Sequence, residues 1–205
     1  MPTDPILLFG AGGHGKVVLD ALLLTGCVRA GVDVADDDAM LQGREFLGVV
    51  VRRPADCTGD RFHVAIGGNR VREGVYQRLR AAGRAPVAVV HPAASLSPLA
   101  TIGEGVFIAA QAVLAPGARL GVGVILNHGA VVDHDCVVGA FSHVAPNATL
   151  GGNVKIGQCV LVGAGAKLLP GVRVGDDVVI GAGAVVRDNL EEAGVYAGVP
   201  ARRVR

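Results

Sequence analysis

Three of the six histidines fall close together, at His128, His134 and His143, and His134 stands between Asp133 and Asp135. A carboxylate beside an imidazole fixes the ring's tautomer and stabilises the imidazolium that forms when the ring takes a proton. An unperturbed imidazole pKa near 6.5 makes such a ring a usable general base at neutral pH. Spacing leaves open which aspartate touches the ring, because neighbours on an extended chain point to opposite faces.

A second chemical stretch lies near the start, at Gly10-Ala11-Gly12-Gly13-His14-Gly15. The apolar run Ile6-Leu7-Leu8-Phe9 before it reads as a buried strand, and residues 16–24 after it read as a helix ending near Gly26. Strand, glycine-rich turn and helix make the first half of a nucleotide-binding βαβ unit, in which backbone N–H groups approach an anion. The spacing Gly10, Gly12, Gly15 satisfies GxGxxG, a pattern that a ligand-free tight turn also satisfies. About 20 residues on, where such sites carry a ribose-binding acid, stand Asp33, Asp36, Asp37 and Asp38. The same acids also suit a solvated loop.

The elements that position these groups follow two different rules. From residue 90 to residue 186 every sixth residue is aliphatic, among them Leu96, Ile102, Ile108, Leu126, Val132, Val144, Ile156 and Ile180. The residue four places after each of these guides, from Val106 to Ala184, is Ala, Val, Ser or Cys. A period of six fits neither a helix nor a hairpin array; it specifies a hexapeptide β-helix, each hexad a short strand and a corner. Three hexads close a triangular coil, with guides and small residues stacked inward and glycines such as Gly103, Gly121 and Gly139 serving corners. His128 and His134 each lie two places after a guide, and His143 lies just before Val144, so none occupies an inward position.

Residues 1–89 follow the other rule and are expected to form a small Rossmann-like α/β nucleotide-binding domain, with residues 90–205 forming the β-helix and its tail. Residues 62–66 read as a strand, followed by Gly67-Gly68-Asn69. Val71, Val75 and Leu79 mark one face of a helix over 71–82, and residues 87–90 read as a further strand before His91-Pro92. The tail holds Gly194-Val195-Tyr196-Ala197-Gly198-Val199-Pro200-Ala201-Arg202.

Composition narrows the partners. A net charge of +1, seven Phe and Tyr residues and no Trp supply neither a basic stripe nor stacking platforms for nucleic acid. The four cysteines, Cys27, Cys57, Cys136 and Cys159, form no CxxC pair and read as buried thiols of a reducing compartment. The run over 17–24 is too short to span a membrane, and no signal-peptide pattern opens the chain.

Taken together, the glycine loop, Ala65-Ile66-Gly67-Gly68-Asn69, Asn127, Val132-Asp133-His134-Asp135-Cys136, Phe141-Ser142-His143-Val144-Ala145-Pro146 and Gly198-Val199-Pro200-Ala201-Arg202 resemble the bacterial sialic acid and bacillosamine-type sugar acyltransferases of the hexapeptide superfamily. The resemblance covers nearly the whole chain. It implies a left-handed β-helix, a cytoplasmic homotrimer with active sites between prisms, and acetyl-CoA as donor with no metal. The implied acceptor is the amino group of a nucleotide-linked 4-amino-4,6-dideoxy sugar. O-acetylation of sialic acid or a related sugar is the alternative, and a zinc lyase of carbonic-anhydrase type a more distant one.

By position, the resemblance implies that His134 is the general base, Asp135 its partner and Gly152 the oxyanion N–H. His143, Gly152, Ala164 and Ala182 are implied on acetyl-CoA. Gly12, Gly13, His14, Asp36, Asp37, Gly67, Asn69 and Asn127 are implied on the nucleotide sugar, with Asp33 a rival for the acidic role. Asp135 stands where this family often has Glu.

Overall fold

A computed structural model describes residues 5–205. The chain divides into two compact units after Pro92.

The first unit alternates strand and helix: β1 (Ile6–Phe9), α1 (Gly13–Leu24), β2 (Val32–Ala35), β3 (Glu45–Phe46), β4 (Val49–Arg52), β5 (Arg61–Val64), α2 (Asn69–Ala81) and β6 (Ala85–Pro86). The strand order is β3-β4-β2-β1-β5-β6. All pairings are parallel except the β3–β4 hairpin, whose turn uses Leu47 and Gly48 at positive φ. β1 pairs with β2 on one side and β5 on the other, so the winding direction reverses between β1 and β5. In open α/β sheets ligands bind at that reversal, outside the carboxyl ends of the strands. Leu7, Leu8, Phe9, Val34 and Phe62 form the core, covered by Val18, Leu19 and Leu22 of α1.

Three expectations change here. The glycine loop itself opens α1, which starts at Gly13 with Gly12 as N-cap. α2 buries Arg72, Val75, Tyr76 and Leu79, whereas Val71 is 60% exposed, so the buried face is rotated by one residue. Cys27 is only half-buried.

His63 on β5 is buried, with Nδ1 2.9 Å from the Val87 carbonyl. That oxygen only accepts, so Nδ1 carries the proton. Burial, reinforced by the nearby Arg72 charge, lowers its pKa from 6.5 to about 4. The unfolded chain therefore takes up a proton near pH 6.5 that the folded chain resists until about pH 4. The stabilisation is complete above pH 6.5 and is lost as pH falls through that window, by about 3 kcal/mol for such a shift. Denaturant melts of the wild type are expected to weaken from pH 6.5 to pH 4, and those of His63→Leu to be flatter over the same range.

The second unit is a triangular prism of two-residue strands. One face stacks Phe107–Ile108, Ile125–Leu126, His143–Val144 and Leu161–Val162. The next stacks Val113–Leu114, Val131–Val132, Thr149–Leu150 and Lys167–Leu168. The third stacks Arg119–Leu120, Val137–Val138, Lys155–Ile156 and Arg173–Val174. Each residue lies over the one 18 positions on, as Ile125 over His143. The guides from Ile108 and the small residues from Val106 are buried throughout. Val90, Leu96 and Ile102, at the start of the series, are only half-buried.

The corners differ from expectation in where glycine is needed. The left-handed residue is the third after each guide, every sixth position from Gly105 to Gly183, and includes Gln111, Asp135, Asn147 and Asn153. The glycine directly after a guide serves close stacking instead: a Cβ on Gly103 would lie 2.8 Å from the Gly121 carbonyl carbon of the next coil. β-carbons never approach backbone so closely, so this glycine is needed by distance rather than by angle.

Candidate active site

His134 and Asp135 occupy the corner between the second and third faces. The imidazole Nδ1 lies 2.9 Å from Asp135 Oδ2, and the His134 backbone N–H donates to Asp133 Oδ1 at 2.7 Å. The two aspartates thus divide the work: Asp135 holds the ring and Asp133 holds the chain. A carboxylate accepts, so Nδ1 carries the proton and Nε2 presents a lone pair. The hydrogen bond to Asp135, then the charge of Asp133, raise the His134 pKa above 6.5.

The coils above and below leave room for this pair. Asp135 adopts φ 59, a conformation that Asp tolerates better than most residues. A Cβ on Gly117, one coil earlier, would lie 2.6 Å from Asp135 Oδ1. A Cβ on Gly152, one coil later, would fall against Nε2 and Cε1 of the imidazole. Both flanking glycines are thus seats for the dyad. Gly117 has no place among the residues implied by resemblance, yet its 18-residue offset from Asp135 could have revealed it. Cys136 points inward, its thiol 3.1 Å from the Gly151 carbonyl, and burial pushes its pKa up, which unsuits it to nucleophilic work.

The base role that the resemblance implies for His134 needs the neutral ring, so it predicts an acid limb of kcat/KM above pH 6.5. Asp135→Asn removes the main cause of the raised pKa. The limb should then move toward lower pH and the plateau fall, since an amide no longer selects the Nδ1–H tautomer. A pH–rate profile of both proteins checks this.

The other prism residues lie elsewhere on the triangle. Asn127 Nδ2 is 3.0 Å from His143 Nε2, while Asn127 Oδ1 accepts the His128 N–H at 2.8 Å. Residues assigned by resemblance to acceptor and donor thus share a hydrogen bond. His128, Pro146, Ala164 and Ala182 form one corner column between the first and second faces, linked by the Asn147, Gly165 and Gly183 backbone N–H groups. Ala164 and Ala182 are exposed. His134 and Gly152 belong to the next column, linked by the Asn153 and Gly171 N–H groups. The His134–Gly152 column and the His128–Ala182 column therefore lie on different corners of one prism, separated by the face containing Val131–Val132.

In the first unit, Gly12 and Gly13 are exposed, and a Cβ at either would meet nothing within 4 Å. Packing does not require these two glycines, and the space above them is open. Gly10 and Gly15 differ, for a Cβ there would strike the Ala65 or Gly10 carbonyl. Asp36 bolts the loop in place: Oδ2 accepts the Ala11 N–H at 2.8 Å and Oδ1 the Asp38 N–H at 2.9 Å. Asp37 pairs with Arg78 at 2.9 Å, and that guanidinium lies 5.1 Å over the Phe9 ring. Asp33 lies inside β2 opposite Leu7, 3.4 Å from Arg52, and away from the carboxyl edge where Asp36 and the glycine loop meet. His14 is half-buried in the first turn of α1. Gly67 sits on the turn after β5, beside the glycine loop, and Asn69 is the first residue of α2. Among the described residues, no cluster of three His, Cys, Asp or Glu is spaced to hold a metal ion.

Known proteins carry this combination. Residues 5–79 match the family model of the PglD N-terminal domain, and residues 153–188 match that of the bacterial transferase hexapeptide (six repeats). The acetyltransferase domain of PglB from Neisseria gonorrhoeae is 34% identical, with TM-score 0.90, over 98% of this chain and 99% of that one. A variant of perosamine N-acetyltransferase from Caulobacter crescentus, in complex with CoA and GDP-perosamine, is 35% identical, with TM-score 0.89, over 97% and 96%. WeeI from Acinetobacter baumannii, 22% identical with TM-score 0.69, shares the fold. The hexapeptide-transferase match and the similarity to acetyltransferases over nearly the whole chain make this protein an acyltransferase, built from a small α/β unit and a left-handed β-helix. The chain belongs to the hexapeptide-repeat family of bacterial sugar N-acetyltransferases.

Proposed function

We propose that the protein transfers the acetyl group of acetyl-CoA to the amino group of a nucleotide-linked 4-amino-4,6-dideoxy sugar. The observation that carries this reading is the His134–Asp135 pair seated against Gly152, on a chain 35% identical to an enzyme seen with CoA and GDP-perosamine. A relative at 34% identity has been seen with acetyl coenzyme A. The open glycine loop at the sheet's point of reversal suits the diphosphate of the sugar nucleotide.

In this reading His134 Nε2 takes the proton that the acceptor amine must lose. The amine nitrogen attacks the thioester carbonyl, and the tetrahedral oxyanion accepts the Gly152 N–H. Loss of such a donor typically costs about 3–4 kcal/mol. The carbon–sulfur bond then breaks, the leaving thiolate takes the proton held on His134 Nε2, and the amide remains. No acyl-enzyme is required, which agrees with the buried, inward Cys136.

The proposed assembly is a homotrimer. His134 and Gly152 lie on one corner, and His143, Ala164 and Ala182 lie elsewhere on the triangle. A thioester lying in a groove between two prisms would meet the first set on one prism and the second on its neighbour. Dependence on acetyl-CoA suits a cytoplasmic enzyme; among the described residues no helix is long and apolar enough to cross a membrane.

The test is incubation with acetyl-CoA and a panel of UDP-, GDP- and dTDP-linked amino and hydroxy sugars. Release of coenzyme A matched by an alkali-stable amide on an amino sugar supports the reading. An alkali-labile ester product, or no release with any acceptor, overturns it.

A further inference from the structure

Arg72 is 1% exposed, the largest fully buried side chain of the described residues. It stands in the first turns of α2, and helical side chains lean toward the helix N-terminus. Its guanidinium therefore reaches back under the turn that leads from β5 into α2. Nη1 donates to the Ile66 carbonyl at 3.0 Å and the Gly67 carbonyl at 3.1 Å, and Nη2 donates to Asn69 Oδ1 at 2.9 Å. One rigid fork thus ties three consecutive parts of a single turn.

That turn has a particular place. It leaves the carboxyl end of β5 on one side of the sheet's reversal, and the glycine loop leaves β1 on the other. The two are pressed together: the Ala65 N–H donates to the Phe9 carbonyl at 2.7 Å, and a Cβ on Gly10 would lie 3.0 Å from Ile66 Cγ1. The Ile66–Gly67–Gly68–Asn69 backbone and the Gly10–Gly13 backbone thus leave the carboxyl ends of neighbouring strands side by side, where open α/β sheets receive their ligands. Arg72 lies directly behind the first of these. Burying a guanidinium is costly before its contacts repay it. A fully packed aliphatic side chain would fill a helix–sheet contact at no such cost.

We propose that Arg72 is the positioning residue for the nucleotide half of the site, holding the 66–69 turn in the shape that receives a nucleoside diphosphate and lending positive charge from behind. This rests on the reading of the first unit as the nucleotide-sugar domain. Preorganising a binding loop raises affinity by removing the cost of ordering it on binding. Arg72 does not touch the thioester or the reacting amine. Its loss should appear in nucleotide affinity and KM for the sugar nucleotide, and not in KM for acetyl-CoA.

The experiment uses the full chain with Arg72→Met, Arg72→Lys and Asn69→Ala, and titrates UDP, GDP, dTDP, their parent nucleosides and coenzyme A by calorimetry. For whichever diphosphate the wild type binds, Arg72→Met is expected to lose about tenfold or more in affinity, with coenzyme A within about twofold. Arg72→Lys, which keeps the charge but not the fork, should lose less. Asn69→Ala removes one acceptor and leaves Arg72 in place, but the resemblance also puts Asn69 on the nucleotide sugar, so Arg72→Lys is the variant that decides the proposal should Arg72→Met fail to fold. The loss should fall on the diphosphates more than on the nucleosides, a difference that general loosening of the unit would not produce. Diphosphate affinity unchanged in Arg72→Lys, or equal losses for nucleoside and diphosphate, overturns the proposal. Failure of the wild type to bind any of the three diphosphates overturns the reading of the domain, and the proposal with it.

Discussion

His134→Ala is expected to lower kcat for acetyl transfer by about 10²–10⁴-fold, the range a positioned general base supplies. KM for both substrates should change little. The ring is 60% exposed and makes no contribution to the prism core, so the melting temperature should stay near that of the wild type. In the proposed mechanism the remaining rate comes from the Gly152 N–H and from the positioning of two large substrates. The size of the loss follows from the geometry: Asp135 fixes Nδ1–H, so Nε2 is the only ring atom with a lone pair. Steady-state kinetics over pH 6–9 check it. A variant within a few-fold of wild type across that range would remove His134 from the chemistry.

Gly152→Ala is expected to cost about 10²-fold in kcat, the scale of a displacement of about 1 Å in a reacting group. Its φ lies outside the left-handed region, so alanine meets no backbone penalty there. The added methyl instead occupies the space of Nε2 and Cε1, and the imidazole must swing away. Since the ring is the free end of an exposed side chain, the fold absorbs the change and the melting temperature should hold. The backbone N–H of residue 152 survives the substitution, so any loss reports the base's position rather than the oxyanion donor. A crystal structure of the variant with an unmoved ring, or kcat within a few-fold of wild type, would contradict this.

The prism was legible because its rule is periodic. One aliphatic residue in six, and a small one four places on, locate every inward side chain from Ile108 onward. The same register placed His128, His134 and His143 on the outside, where the structure has them. It did not show what each one touches. The partition of Asp133 and Asp135 between chain and ring depends on Asp135's left-handed backbone, which a pattern of residue types does not encode. The first unit was less legible. Its first strand and both helices stand out, but β2 is a run of Val-Asp-Val-Ala ending in acids, and the β3–β4 hairpin turns on Leu47-Gly48 with no Asn-Gly signal. Arg72 was hidden for a related reason. A charged residue on a helix reads as solvated, and only the turn packed over it makes it interior. Val71 took its place on the expected buried face and is exposed.

The most direct measurement mixes two chains, each altered at one histidine. His134→Ala keeps the Asn127–His143 half-site, and His143→Ala keeps the His134–Gly152 half-site. Unfolded together and refolded, the two variants should regain acetyl transfer well above that of either refolded alone, because in the proposed trimer a junction between unlike chains unites one intact half from each. If the mixture is no more active than its parts while wild-type chains refold with full activity, both halves serve a site within one prism, and the proposed division of the chemistry between neighbours is wrong.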